Sequence, residues 1–341
     1  METKRVIVDG VTEDPAFDEA VALLKAGEVV AFPTETVYGL GGIATNDAAV
    51  TAIYAAKGRP SDNPLIVHIG AFDQLERYVD NISEKAKKCM DAFWPGPLTV
   101  ICHLKPGALS EKVTAGLDTV GIRMPNHPVA LRLLRQLDEP VAAPSANTSG
   151  KPSPTEGVHV EEDLTGRIPL ILDGGATGIG VESTVIDLTL NPPTILRPGG
   201  ITKEMFEAVI GPVNEPTHIE QKAGAPKAPG MKYTHYAPDA PVLLIDNDEV
   251  AVKEALAALH ADGKKVALLA PDRFGKLEAD WFFTFGDGTH EQMAAHLYDA
   301  LRACNATNAD VVLATVTDKN DMGSAIMNRL EKSAGGHWYE G

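Results

Sequence analysis

The chain has 341 residues, 44% of them hydrophobic and 23% charged, a globular composition and a length that favours two cores over one. Its formal charge of −17 argues against a protein that grips nucleic acid through its overall field, and neither half is basic: residues 1–212 carry 18 Lys/Arg against 28 Asp/Glu, and residues 241–341 carry 9 against 16. No apolar run approaches the roughly 20 residues needed to cross a bilayer, and METKRVIVDG lacks the long apolar core of a signal peptide, so the expected compartment is the cytoplasm, with no membrane partner.

Residues 15–27 predict an amphipathic helix, with Phe17, Ala20, Val21, Leu23 and Leu24 on one face and Gly27 as its stop. Val29 to Phe32 reads as a strand, followed by Pro33, a threonine-rich turn and a glycine cluster (Gly39, Gly41, Gly42) expected to form a tight turn. A helix from Asp47 to Ala56 ends on Lys57-Gly58-Arg59-Pro60, and Leu65 to Ile69 is the next strand. Helical patterns at 72–79 and 83–93 lead to Trp94-Pro95-Gly96-Pro97, which breaks the second, and then to a strand from Leu98 to Cys102. Residues 103–118 look like loop, Val120 to Met124 a strand, His127 to Leu137 a helix and Val141 to Ala143 a strand.

PSANTSGKPSPT, from Pro144, has no apolar periodicity and reads as a loop. Strands follow at Ile168 to Leu172, Ser183 to Leu188 and Thr194 to Leu196, with a closing helix from Thr202 to Ile210. Strands outnumber helices and several join through short turns, so the first sheet is expected to be mixed. From Gly211 to about Pro241 the pattern gives way to a proline-rich linker. Strands at 242–245, 266–269, 281–285 and 311–314 then alternate with helices at 249–260, 290–304 and 324–332, with Asn247 as a candidate cap. That regularity predicts a small parallel α/β domain. The three cysteines (Cys89, Cys102, Cys304) are far apart and odd in number, as reduced thiols would be.

Lys57 and Arg59 follow a helix, where cations often only complement the dipole. With Gly58 and Pro60 shaping the loop they could instead hold one polyanion, Arg59 by forked contacts and Lys57 as a mobile point charge. Arg123 sits inside an apolar strand and requires an anionic partner, either an internal carboxylate or a ligand. His68 is placed similarly and reads equally as a core histidine. Ser145, Asn147, Ser149 and Ser153 are loop polarity or ligand contacts, and Glu182, Ser183 and Arg197 add polar groups at strand ends. The glycines form no Walker loop, and no Ser/His/Asp set or HExxH motif is present. Cations and hydroxyls without a clear nucleophile suggest positioning and charge stabilisation, as in phosphoryl or nucleotidyl transfer.

PTETVYGLG, KGRPSDNPL, VGIRMPNHP, APSANTSGKPSPT, ESTVIDL and LRPGG occur in this order and resemble the YrdC-like family. The linker segment APGMKYTHYAP and the added α/β domain resemble the family's two-domain form, so the likeness covers nearly the whole chain. The resemblance implies a twisted, open, mixed α/β sheet with a concave cavity over residues 1–212. It further implies a proline-rich linker over 213–240 and a Rossmann-like parallel accessory domain over 241–341. Because carbamates and mixed anhydrides hydrolyse readily, the linker is expected to fold over the cavity as a lid. The implied enzyme is a nucleotidyltransferase that joins L-threonine, bicarbonate and ATP into threonylcarbamoyl-adenylate and pyrophosphate, with Mg²⁺ bound on ATP rather than by protein side chains. A separate transferase, a transient partner, would then modify the adenosine next to the anticodon in tRNAs reading A-starting codons, with tRNA itself bound weakly or indirectly.

Carried residue by residue, the resemblance implies that Thr36, His68, Arg123, the backbone at Ala143 and Ser183 line the threonine end. Lys57 and Arg59 would be catalytic. Arg59, Asn63, Thr119, Ser145, Asn147, Ser153, Arg197 and Tyr236 would contact ATP. Three rivals stand beside this reading. An RNA-binding module is disfavoured by the acidity. A carbamoyl-adenylate maker of the hydrogenase-maturation type would carry acylphosphatase and zinc-finger segments. An ATP sensor without turnover is compatible with the residues.

Overall fold

A computed structural model of the protein describes residues 1–215 and 236–341. The chain divides into two compact units. The first comprises Met1–Ser149, Pro154–Gly178 and the described residues from Glu182 to 215.

In chain order the first unit contains β1 (Lys4–Ile7), α1 (Pro15–Lys25), β2 (Val30–Phe32), β3 (Gly39–Ile43), α2 (Asp47–Lys57), β4 (Ile66–His68), α3 (Phe72–Tyr78) and α4 (Glu84–Phe93). It continues with β5 (Leu98–His103), α5 (Glu111–Thr114), β6 (Thr119–Arg123), α6 (Pro128–Leu137), β7 (Val141–Ala142) and α7 (Gly157–Leu164). β8 (Leu170–Asp173), β9 (Thr184–Asp187), β10 (Thr194–Arg197) and α8 (Lys203–Ile210) complete it. Its strands form one sheet in the order β1-β8-β2-β3-β7-β4-β6-β5-β9-β10. The sheet is mixed: β1–β8, β2–β8, β4–β6 and β5–β9 are parallel pairs, and the remaining neighbours run antiparallel.

Both faces of this sheet are covered, and the period-two geometry of a strand sorts side chains between them. Val29 and Ala31 face a core shared with α2, α4 and α8, whereas Val30 and Phe32 face one shared with α1 and α6. Ile171 against Leu170 and Leu172, and Ala142 against Val141 and Ala143, divide the same way. Uninterrupted apolar triplets in the sequence are therefore strands buried on two sides.

Three details differ from the sequence reading. Gly39, Gly41 and Gly42 are not a tight turn but most of strand β3, which pairs with β2 and β7. Glycine is needed there for packing: a Cβ at Gly41 would stand 2.7 Å from both Phe32 Cε1 and Val141 Cγ1. Residues 103–118 are not all loop, since β5 runs on to His103 and Ser110 caps the one-turn α5. The short helix α7 lies just past PSANTSGKPSPT, in a stretch to which the sequence reading assigned no element.

The second unit gathers Gly150–Ser153, Ile179–Val181 and the described residues from Tyr236 onward. Its elements are β11 (Val242–Ile245), α9 (Glu249–Ala261), β12 (Val266–Ala270), β13 (Trp281–Thr284), α10 (His290–Ala303), β14 (Val311–Thr315) and α11 (Gly323–Ser333). Four strands, all parallel, lie in the order β11-β14-β12-β13, as the β–α alternation predicts. Asp248, not Asn247, caps α9, accepting a hydrogen bond from Ala251 N at 2.9 Å.

Of the predicted linker, Val213–Glu215 is described, and Asn214 bridges back to Thr194 beside β10. Residues 216–235, which hold most of the linker and the Tyr-Thr-His part of the predicted lid, lie outside the described residues. Among the described residues no helix is long and apolar enough to cross a membrane. The three cysteines are buried and free, and burial pushes the thiol of Cys89 up to about 11 and those of Cys102 and Cys304 to about 12, which leaves them protonated and unreactive at neutral pH.

Candidate active site

The segment from Pro33 to Tyr38 leaves β2 and returns into β3, and it is held from several sides. Thr34 Oγ1 donates to Val37 O at 2.7 Å and shares a hydrogen bond with Thr36 Oγ1 at 2.9 Å. The buried Tyr38 hydroxyl lies 2.9 Å from Asp173 Oδ1 and 2.7 Å from Gly175 O at the exit of β8. Burial and the Asp173 carboxylate push its pKa upward, so it stays a donor.

Arg123, the last residue of β6, reaches this segment. It is 4% exposed, its Nη1 donates to Thr36 Oγ1 at 3.0 Å and its Nε to Gly96 O at 3.3 Å. The anion its strand position required is internal: Nη2 stands 2.7 Å from Glu35 Oε1. That approach is out of line for a hydrogen bond, and both Glu35 carboxyl oxygens are buried and accept none among the described residues. His68, its register partner on β4, packs edge-on to Phe32 with centroids 6.4 Å apart. Burial, then the Arg123 charge, holds its pKa down to about 3, so the ring is neutral, and its Nδ1 makes no hydrogen bond among the described residues. Ala143 N is occupied, donating to Ile66 O at 3.0 Å.

Ser183, just before β9, joins a second layer of this cluster. Its hydroxyl is 2.8 Å from Thr99 Oγ1 on β5, and Arg197 at the end of β10 donates to Ser183 O through Nη2 at 2.9 Å and Nε at 3.1 Å. Arg197 is buried and its Nη2 also reaches Ser183 Oγ at 3.1 Å. The structure thus places Arg197 against Ser183, a residue assigned from sequence to the threonine end.

The other cluster is built on Lys57, which closes α2. Asn46 caps that helix at its start and Gly58 ends it with a left-handed φ of +61°, which only a residue without Cβ strain adopts readily. Lys57 is 1% exposed, and its ammonium donates to Ser145 O and, at 2.6 Å, to Asn147 O. The mobile point charge expected from sequence is instead a pinned one, clamping the Ser145–Asn147 turn. Arg59 is half-buried and donates through Nη2 to Pro64 O at 3.2 Å. Asn63 is buried, and its Oδ1 accepts no hydrogen bond among the described residues. Thr119 opens β6, paired in register with His103.

The Pro33–Tyr38 segment ties the two clusters together. Thr36 belongs to the Arg123 group, while Tyr38 O accepts from Ala146 N at 2.8 Å and Gly39 bridges to Ser145. Two predicted residues fall in the second unit. Ser153 is buried there, and Tyr236, at φ +67°, stacks its ring 5.2 Å from that of Tyr298.

Glu35, Thr34 and Thr99 were not singled out from sequence. The signal for Glu35 was present: Arg123 demanded an anion, and Glu35 is the acid inside PTETVYG. Among the described residues no group of three His, Cys, Asp or Glu side chains is placed to hold a metal ion.

The family model covering Sua5, YciO and YrdC proteins, described as telomere recombination, matches residues 22–199. A model described as the threonylcarbamoyl-AMP synthase C-terminal domain matches residues 201–335. Threonylcarbamoyl-AMP synthase of Bacillus subtilis is 52% identical over 98% of this chain and 99% of its own length. That of Schizosaccharomyces pombe is 40% identical over 94% and 88%. The crystal structure of P. abyssi Sua5 complexed with L-threonine superimposes with a TM-score of 0.93 at 45% identity, covering 98% of this chain and 99% of that one.

Proposed function

The chain belongs to the threonylcarbamoyl-AMP synthase family, enzymes of the nucleotidyltransferase type, and from that premise we propose that it makes threonylcarbamoyl-AMP and pyrophosphate from L-threonine, bicarbonate and ATP. The observation that carries the reading is the pair of buried cationic clusters joined by one backbone segment. Arg123, with Thr36 and Ser183 near it, suits an amino acid's carboxylate and hydroxyl; Lys57, with Arg59, Asn63 and the Ser145–Asn147 turn, suits a triphosphate.

In this reading threonine docks its carboxylate on Arg123, and Ser183, Thr36, His68 and the Ala143 backbone shape the pocket around it. The amine, after losing its ammonium proton, adds to carbon dioxide with release of a second proton, or condenses with bicarbonate with loss of water, to give a carbamate. A carbamate oxygen attacks the α-phosphorus in line; the bond to the bridging oxygen breaks and pyrophosphate leaves. Lys57 and Arg59 offset the charge growing on that leaving group, and Asn63, Thr119, Ser145 and Asn147 orient the nucleotide. Among the described residues no group of three His, Cys, Asp or Glu side chains is placed to hold a metal ion, so Mg²⁺ would arrive bound to ATP and would supply charge neutralisation at its phosphate oxygens.

The product is a mixed anhydride that water destroys, which suits a site built largely on buried side chains and a transferase that collects it promptly. The downstream step is threonylcarbamoylation of the adenosine beside the anticodon in tRNAs reading A-starting codons, in the cytoplasm. The catalytic role belongs to residues 1–212 and an accessory role to 241–341. Pyrophosphate release measured with each amino acid in turn, with and without bicarbonate, tests the reading. Release should require both threonine and bicarbonate; release that ignores either one would refute it.

A further inference from the structure

We propose that Glu35 receives the ammonium group of the amino-acid substrate, so that the Arg123–Glu35 ion pair is a mould for a zwitterion. The inference rests on the threonine reading above and adds to it the group that recognises the amine.

A buried carboxylate normally collects several hydrogen bonds. Glu35 has a cation 2.7 Å away, yet neither of its oxygens accepts a hydrogen bond among the described residues, and its approach to Arg123 is misaligned. Acceptor capacity is thus stored beside a guanidinium whose Nη2 is also without a hydrogen bond. The adjoining groups cannot use it. Thr36 Oγ1 is taken up by Arg123 and Thr34, and His68 is neutral. His127, whose pKa burial lowers against the pull of the Glu35 charge, turns its Nδ1 to Val129 N as the cap of α6.

Charge arithmetic favours an exchange. The Arg123–Glu35 pair is neutral overall, and so is an amino acid. Set in head to tail, the four charges alternate, carboxylate on Arg123 and ammonium on Glu35, and no lone charge is buried. With Arg123 alone the ammonium would enter beside a guanidinium and a neutral imidazole. His68 Nδ1 is also without a hydrogen bond, but an imidazole offers one acceptor and no charge, where the carboxylate offers two acceptors and the opposite sign. Such a site selects amino acids over hydroxy acids, as a reaction that begins at an amine requires.

Titration calorimetry without ATP or bicarbonate tests this, comparing L-threonine with 2,3-dihydroxybutanoate, which replaces the amine by a hydroxyl. The wild-type chain should bind the hydroxy acid at least about tenfold more weakly, as for the loss of a charge-assisted hydrogen bond. Glu35→Gln should narrow that ratio below about threefold while ATP binding stays as in the wild type. Equal wild-type binding of the two ligands, an unchanged ratio in Glu35→Gln, or a ratio lost only in His68→Gln would each overturn the proposal. If Glu35→Gln does not fold, the wild-type ratio and Glu35→Asp decide, since aspartate should weaken threonine binding yet keep the preference for the amine. Should the wild type bind neither ligand, the threonine reading itself fails, an outcome distinct from a retained ratio.

Discussion

Two buried cations of the first unit are held in opposite ways. Lys57 sends its ammonium to the carbonyl oxygens of Ser145 and Asn147, partners that belong to the fold and that no ligand could replace without moving the chain. Arg123 is anchored by Nε on Gly96 O and Nη1 on Thr36, but its Nη2 rests against a side-chain carboxylate in poor alignment, a partner that a ligand carboxylate could displace. The difference separates a charge that builds the site from one that waits in it. It also explains why Asn63 Oδ1, His68 Nδ1 and both Glu35 oxygens are buried without hydrogen bonds among the described residues: all lie in the first unit, in or beside these clusters.

The sharpest way to break this comparison is at Lys57. Lys57→Met removes the ammonium shared by Ser145 O and Asn147 O and should lower stability by about 2–4 kcal/mol in urea titrations. A loss under about 1 kcal/mol would mean that the ammonium does not hold the turn. Next in size, Arg123→Ala should raise the threonine concentration needed for half-maximal turnover by roughly 10–100-fold and leave the ATP requirement within about threefold. Equal effects on both substrates would merge the two clusters into one.

The third prediction concerns acid. His68 has its ordinary pKa of 6.5 when unfolded and about 3 when folded, so between those values only the unfolded chain takes up the proton. Its contribution is complete above pH 6.5 and is lost as pH falls, by roughly 2 kcal/mol at pH 5. His68→Gln should flatten that part of the stability–pH curve; an identical slope would place the sensitivity elsewhere. The smallest effect should come from Gly41→Ala, whose Cβ meets Phe32 and Val141 at 2.7 Å. About 1–2 kcal/mol of destabilisation by thermal melting is expected, together with weaker threonine binding as the Phe32 ring shifts against His68.

Most of the second unit was legible because its strands and helices alternate with their own periods, even where a helix such as α11 has no side-chain cap. The first unit was less so where packing overrides local signals. A run of Gly39-Leu-Gly-Gly looks like a turn until Phe32 and Val141 are seen to fill the space a side chain at Gly41 would take. Arg123 could be read as a cation in need of an anion, but its partner Glu35 is far away in sequence and sits among threonines that suggest only a polar turn. Lys57 was recognisable as a charge at a helix end; that it points inward onto the Ser145–Asn147 turn depends on the register of β3 against Ser145, which no local pattern carries.

The central claim, that two cationic clusters bring a carbamate of threonine to the α-phosphorus of ATP, is tested most directly with ¹³C-bicarbonate. The purified chain is incubated with ATP, Mg²⁺ and L-threonine, and the nucleotide products are resolved by mass spectrometry at early times. The expected product is an adenylate that carries the label together with threonine, accompanied by pyrophosphate and absent when threonine is omitted. Unlabelled AMP alone, or ADP and phosphate in place of AMP and pyrophosphate, would contradict it.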